Sequence, residues 1–163
     1  MQRKLIPLTL AAACCSAPAA ADDTLMVSVK RLSMDAAVKL AQASIAACRD
    51  KGIQIGVTVV DRDGTIQVQL RDTIAAPITG PISKMKAFTA ANFNAATSAM
   101  TARADTPIGR IDGLVMSAGG LPIQAGGALI GAVGVSGAPE GATDEECAKA
   151  GLDSIAADLE MAN

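Results

Sequence analysis

Residues 119–137 read GGLPIQAGGALIGAVGVSG, and this stretch decides the fold. Gly126-Gly127 separates two apolar runs, and a tight hairpin turn favours glycine because its central residues take positive φ angles. The stretch therefore predicts two antiparallel strands joined by a short turn. Gly131 and Gly134 lie inside the second strand, where glycine indicates the close approach of another group. A packed helix or a second subunit is the simpler explanation, and a flat ligand is the alternative.

The composition bounds the class of protein. The chain has 163 residues, enough for one domain with a sizeable core. Half of it is hydrophobic, yet Phe88 and Phe93 are its only aromatic residues, and its net charge is −2. These properties argue against nucleic-acid binding. The absence of histidine and of a cysteine cluster excludes the usual zinc sites and histidine-based nucleophile pairs. No apolar run is long enough to span a membrane.

The N-terminus has the pattern of a signal peptide. Its parts are the basic pair Arg3-Lys4, the apolar residues 5–15, and a small-residue cleavage site that ends at Ala21. We expect removal of residues 1–21, a single domain over residues 22–163, and a secreted or periplasmic location. Lipid attachment at Cys14 is an alternative, although the large aliphatic residue that should begin a lipoprotein motif is missing.

Two cysteines, Cys48 and Cys147, remain in the mature chain. In an oxidising compartment they can form one disulfide, and they can equally be two buried thiols. If the first and last helices run antiparallel and side by side, the two residues approach each other. The Cα separation decides between the alternatives.

The apolar spacing predicts helices and strands in a definite order. Helices are predicted from Ser33 to Gly52, over residues 83–94, from Thr97 to Ala104, and from Thr143 to Leu159. Strands are predicted over residues 53–60, 65–70, 114–116, 119–125 and 128–137. Hairpins dominate this order. The predicted fold is therefore a single α+β domain, with a five-stranded antiparallel sheet and the helices packed on one face.

Several separated motifs resemble one family. They are VVDRDG at 59–64, KAFTA at 86–90, NAATS at 94–98, GGLPI at 119–123, IGAVGVSGA at 130–138 and AKAGL at 148–152. In this order and spacing they are similar to the GlcG/HbpS haem-binding family, and most of all to its secreted HbpS-like branch. The C-terminal domain of PduO-type proteins is a related member. The resemblance covers residues 33–160.

The resemblance implies an α+β fold with five antiparallel strands and assembly into homo-oligomers. It also implies binding of haem or another tetrapyrrole as cofactor. In some members of the family it implies haem degradation, redox sensing or a membrane sensor as partner.

The candidate cofactor-binding residues are Met85, Lys86, Thr89, Arg110, Gly119 and Gly120. Without histidine, a haem iron would be held by methionine, lysine, a carboxylate or water, and methionine is an established haem ligand. Met85 can equally fill the core, and Lys86 can be a solvated or paired charge. Arg110 can hold a propionate by a two-pronged contact, or pair with Asp112.

Three functions are compatible with these residues, and we favour the first. It is a secreted, oligomeric protein that binds haem or another small molecule. Its pocket should lie on the helix from Met85 to Asn94, with the glycine-containing strands as its floor. The second is a histidine-free enzyme that acts on a small organic acid or aldehyde through Lys86, Arg110, Asp61 or Asp63. The third is an interaction module in which Gly131 and Gly134 serve oligomer packing.

Overall fold

The computed structural model describes residues 25–162, so the predicted signal peptide and Cys14 lie outside the described residues. The helices and strands are α1 Met34–Asp50, β1 Gly56–Asp61, β2 Ile66–Arg71, α2 Thr79–Phe93, β3 Gly120–Ala125, β4 Ala128–Ser136, α3 Gly141–Asp153 and α4 Ala156–Met161. Two 3₁₀ turns, Thr97–Arg103 and Pro107–Arg110, connect α2 to β3. In this described part of the chain, no helix combines the length and the apolar character needed to cross a membrane.

The strands form one antiparallel sheet in the order β2-β1-β4-β3. Both predicted hairpins are present, and Gly126 and Gly127 turn β3 into β4 with φ angles of 57° and 77°. The predicted fifth strand, residues 114–116, is wrong, because these residues do not join the sheet. The Val115 N–H instead donates to the Thr89 hydroxyl of α2 at 3.0 Å. The Thr89 side chain thus accepts the hydrogen bond that a neighbouring strand would otherwise have accepted from the Val115 N–H.

Helices cover both faces of the sheet, so the predicted one-sided arrangement is wrong. Val57 and Val133 face the core formed with α1 and α3, whereas Val60 and Ala132 face α2. β1 is buried along its whole length because both of its faces are covered. A glycine in β4 makes the contact between α2 and the sheet possible. A Cβ added at Gly134 would overlap the backbone of α2 at Ser83 and Ala87, so the helix rests directly on the strand.

α1 and α3 pack side by side and are joined by a disulfide. Cys48 and Cys147 are bonded, with their Cα atoms 5.6 Å apart. The bridge closes a sequence separation of 99 residues, which restricts the unfolded chain strongly. Ser33 caps α1 as predicted, since its hydroxyl accepts the Ala36 N–H at 3.2 Å.

Some helix bounds differ from the prediction. α2 begins at Thr79 rather than at residue 83, with Pro81 inside its first turn. Proline is tolerated there because its missing N–H would have no partner within the helix. α3 begins at Gly141, and its N-cap residue Glu140 forms no side-chain cap.

Arg49, in the last turn of α1, ties that helix to the end of β2. Its Nε and Nη2 atoms donate to the two carboxylate oxygens of Asp72, each at 2.6 Å. Asp72 also accepts the Thr73 N–H at 2.8 Å. The hydrogen bonds from Arg49 lower the pKa of Asp72 from 3.8 to about 2, although burial opposes the shift.

We expect Gly134→Ala to lower the free energy of unfolding by about 1–3 kcal/mol, because the new methyl group must displace α2. Urea denaturation followed by circular dichroism measures the change. Gly80→Ala is the matched control, because the nearest atom beyond its own turn of the helix, Gln69 Nε2, would lie 3.9 Å from the added Cβ. This variant should be neutral or more stable by about 0.5 kcal/mol. Equal effects of the two substitutions would contradict the close contact at Gly134.

The lowered pKa of Asp72 predicts a loss of stability in acid. Above about pH 5 the carboxylate is ionised in both the folded and the unfolded chain, so its stabilising contribution is fully present. That contribution is lost as the pH falls through about 2, the folded-state pKa. Asp72→Asn should flatten the pH dependence of the urea midpoint in this window. Asp158→Asn, which removes an exposed carboxylate paired with Lys39, should keep it.

Candidate functional site

A groove of about 420 Å³ runs along the outer side of α2. Four residues of the helix line it, and they share one side because they are three and four positions apart. Two residues of the segment before β3 form the opposite wall. The lining residues are Pro81, Lys84, Met85 and Phe88 on the helix, and Asp112 and Gly113 on the opposite wall. Met85 and Phe88 are half-buried and Lys84 is exposed, so the groove combines apolar surface with one cation and one carboxylate.

Thr89 holds the two walls of this groove together. Its hydroxyl donates to the Met85 carbonyl at 2.8 Å and accepts the Val115 N–H at 3.0 Å. Thr89 itself is fully buried. It therefore shapes the groove by tying the segment that follows Gly113 to the helix, and it does not line the groove.

Lys86 points into the protein and forms a buried ion pair. Its Nζ donates to the Val135 carbonyl at 3.0 Å and to Oδ2 of Asp144 at 2.8 Å. Lys86 is 4% exposed and Asp144 is 3% exposed. Burial raises the pKa of Asp144, while the Lys86 ammonium and the Ala138 N–H, which donates to Oδ1 at 2.9 Å, oppose that rise. The pair joins α2 to α3 across the end of β4.

Gly119 and Gly120 make room for this ion pair beneath α2. A Cβ added at Gly119 would lie 2.7 Å from the Lys86 Nζ, and one at Gly120 would lie 2.5 Å from the Lys86 carbonyl oxygen. Their N–H groups donate to Glu145 at 3.1 Å and to the Thr97 hydroxyl at 2.9 Å, respectively. The two glycines therefore belong to the packing under the helix and do not line the groove.

Arg110 lies neither in the groove nor beside the Lys86–Asp144 pair. It is exposed at the end of the second 3₁₀ turn, where its Nη2 donates to the Asp105 carbonyl at 3.4 Å. Over residues 25–162 it forms no ion pair with Asp112 or any other carboxylate.

The carboxylates considered for an enzyme are also committed to structural contacts. Asp61 is buried and accepts the N–H groups of Asp63 and Thr65, which closes the turn of the first hairpin. Arg31 pairs with Asp61 at 3.4 Å and with Asp63 at 2.9 Å. Among residues 25–162, no three His, Cys, Asp or Glu side chains are grouped so that they could hold a metal ion. The residues proposed for catalysis therefore make their contacts in separate parts of the protein.

The six predicted site residues lie in three different places, and Arg110 is alone in the third, on the exposed 3₁₀ turn. Met85 lines the groove and Thr89 shapes it, whereas Lys86 and the two glycines form the buried cluster on the inner side of α2. The strands therefore do not form the floor of the groove. Sequence reasoning missed Pro81 and Lys84, although their spacing to Met85 places all three on one helix side. It also missed Asp144, which lies 58 residues from Lys86 and has no local signal.

A comparison with models of protein families identifies the family of this chain. The model described as haem degrading protein HbpS-like matches residues 32–153. The chain belongs to the HbpS-like family. The matched interval includes α2 with its groove and the Lys86–Asp144 pair. No curated protein shows significant sequence similarity to the chain.

Solved structures of similar proteins support the HbpS-like fold. A double mutant of Streptomyces reticuli HbpS is 38% identical, with a TM-score of 0.76 over 85% of this chain and 96% of that one. The Klebsiella pneumoniae protein ORFY is 26% identical, with a TM-score of 0.76 over 82% and 97%. PduOC, solved as a complex with haem, is 24% identical, with a TM-score of 0.72 over 77% and 95%. At that identity the last match supports the fold alone.

The groups that α2 contributes to the groove fit a haem, whereas the Asp112 carboxylate on the opposite wall adds no contact that a haem needs. A haem is a flat apolar macrocycle with two carboxylates, so its site needs apolar contacts, an axial ligand and a cation. Met85 offers a thioether, Pro81 and Phe88 offer apolar surface, and Lys84 offers an ammonium group. The chain has no histidine, so the thioether is the soft ligand that this groove provides.

We expect Lys86→Met to lower the free energy of unfolding by about 3–5 kcal/mol, because it leaves the buried Asp144 carboxylate without its cation. Lys84→Met, two positions away on the exposed side, should change it by less than about 0.5 kcal/mol. The double variant Lys86→Met/Asp144→Leu should recover most of the loss, because an apolar pair can replace a buried ion pair. Urea denaturation measures all three. A loss below about 1 kcal/mol in the single variant would contradict a structural role for the pair.

Proposed function

We propose that this protein binds haem, or a related tetrapyrrole, in the groove at Met85 and acts in haem handling. The observation that carries the proposal is the position of the Met85 thioether in an apolar groove beside Lys84. The match to a family described as haem degrading supports haem as the ligand class.

The four lining residues of α2 would each have a distinct part in holding the ligand. Met85 would hold the iron, Lys84 would pair with a propionate, and Pro81 and Phe88 would contact the macrocycle. When bound, haem supplies a redox-active iron. The chain contributes a fixed frame for it, because Thr89 holds the far wall and the Lys86–Asp144 pair holds the helix.

Met85 is a better candidate ligand than its neighbour Lys86. The Lys86 ammonium already donates to Val135 and Asp144, and both partners of the ion pair are almost fully buried. Turning Lys86 outward would leave the Asp144 charge unpaired in the core, which is strongly unfavourable. Met85 loses no polar contact when it binds a ligand, since a thioether is only a weak hydrogen-bond acceptor.

The proposal extends to an extracytoplasmic location. The signal-peptide pattern of residues 1–21 supports export, and the Cys48–Cys147 disulfide supports an oxidising compartment, where such bonds persist. Redox sensing, homo-oligomer formation and a sensor-protein partner stay predictions from the family resemblance. Gly131 and Gly134 do not support the oligomer, because Val60 and the backbone of α2 already occupy the space beside them.

We expect titration of the purified protein with hemin to give a saturable change of the Soret band at about one haem per chain. Met85→Ala should weaken the affinity about tenfold and alter the band position, because the thioether ligand is removed. Lys84→Gln should weaken the affinity less and leave the band position unchanged, because it removes only a propionate contact. Absorbance spectroscopy measures both quantities.

Met161→Ala is the control, because this methionine is 79% exposed on α4 and lies outside the groove. It should bind hemin as the parent protein does. No Soret change in the parent protein would overturn haem binding. Equal affinity and spectrum in Met85→Ala would overturn the assigned groove and leave haem binding itself standing.

A further inference from the structure

The outer side of α2 carries an apolar stripe that its own chain leaves open. The stripe consists of Ile78, the N-cap residue, and Pro81, Met85 and Phe88, which follow at steps of three, four and three residues. Helices that pack against one another in coiled coils show the same spacing. Ile78 is 59% exposed and Pro81 is exposed as well. This outer stripe extends past the groove at Met85, because Ile78 does not line that groove.

The inner side of α2, which rests on the sheet, has the opposite character. Its buried residues are small or polar, and they include Gly80, Ser83, Lys86, Ala87 and Ala90. A surface helix ordinarily turns its large apolar side chains toward the core and its charged ones toward solvent. In α2 the large side chains of the outer stripe face away from the sheet. Contiguous exposed apolar surface of this kind marks a contact with a partner.

Two opposite charges flank the outer stripe. Lys84 lies on the helix wall of the groove and Asp112 on the opposite wall, and both are exposed. Within residues 25–162, neither side chain has an ion-pair or hydrogen-bond partner. A haem propionate would use Lys84 and leave Asp112 unused. The Asp112 carboxylate therefore points to a second occupant of the same surface, one that carries a cation.

The positions of these charges make the groove complementary to itself. A two-fold axis that runs along the groove exchanges its two walls between two copies of the chain. Lys84 of each copy then faces Asp112 of the other copy, and the two outer stripes meet between the two ion pairs. An apolar centre with a charged rim is the usual composition of a protein interface. A second copy of the chain thus matches both the apolar surface and the charges.

We propose that a second copy of this chain covers the outer stripe when haem is absent, so that self-association and haem binding exclude each other. The exclusion rests on the proposed function, because Lys84 and Met85 would contact either the haem or the second copy. The self-association does not rest on it. A ligand that binds only the monomer shifts the equilibrium toward the monomer by mass action.

Sedimentation velocity of the purified protein without haem tests the self-association. We expect a monomer–dimer equilibrium with a dissociation constant of about 10 µM, as suits a small interface. Lys84→Glu and Asp112→Lys should each weaken the dimer about tenfold, because each places two like charges opposite each other at both ends of the two-fold contact. The double variant Lys84→Glu/Asp112→Lys should dimerise as the parent protein does, because the exchanged charges pair again.

Asp50→Lys is the matched control, since it reverses an exposed carboxylate at the end of α1, on the opposite face of the sheet. It should leave the dimer unchanged. A protein that stays monomeric up to about 500 µM would overturn the proposal, because an interface this weak would not be specific. So would a dimer or larger assembly that Lys84→Glu and Asp112→Lys leave intact, or a double variant that fails to recover.

Hemin tests the exclusion in the same experiment. We expect hemin to convert the dimer to monomer, with the Soret absorbance sedimenting at the rate of the monomer. Soret absorbance that sediments with an intact dimer would overturn the exclusion. No binding of hemin at all would overturn the proposed function and leave the self-association standing, so the two failures are distinguishable.

Discussion

The buried ion pair between Lys86 and Asp144 is the constraint on which the arrangement of the site depends. The sequence of α2 mixes apolar, small and polar residues around the helix, so no single apolar stripe dictates which side is buried. Lys86 reaches across the end of β4 to Asp144, 58 residues away, and together with the contact of Ser83 and Ala87 on Gly134 it fixes the rotation of the helix. Met85, the preceding residue, is thereby left on the groove side. A buried pair of this kind stabilises little in itself, but its disruption is strongly unfavourable.

Small residues make this geometry possible. Gly134 lets the backbone of α2 approach the sheet, and Gly119 and Gly120 leave space for the Lys86 side chain and backbone. On the opposite face, larger side chains such as Val57 and Val133 pack against α1 and α3. The sheet therefore separates two layers. On one face, close backbone contact and one ion pair hold α2. On the other face, α1 and α3 pack through apolar side chains and are crosslinked by the disulfide. The candidate groove at Met85 lies on the outer side of the α2 layer.

The proposed function depends on how firmly the groove at Met85 is held. The Thr89 hydroxyl fixes the wall opposite Met85, so a ligand would meet a formed surface. A preformed surface reduces the entropy that is lost on binding. The proposed haem site depends on this fixed wall.

The sequence alone determined the two hairpins, the capped start of α1 and the family, because turn glycines, apolar periodicity and motif order are local signals. It also brought Met85 and Thr89 forward as site residues. It could not determine that residues 114–116 leave the sheet, since that depends on a bond from Val115 to a side chain of α2. Nor could it determine that helices cover both faces, that Cys48 meets Cys147, or that Lys86 pairs with Asp144. These are contacts between residues distant along the chain, and only the packing of the layers brings them together.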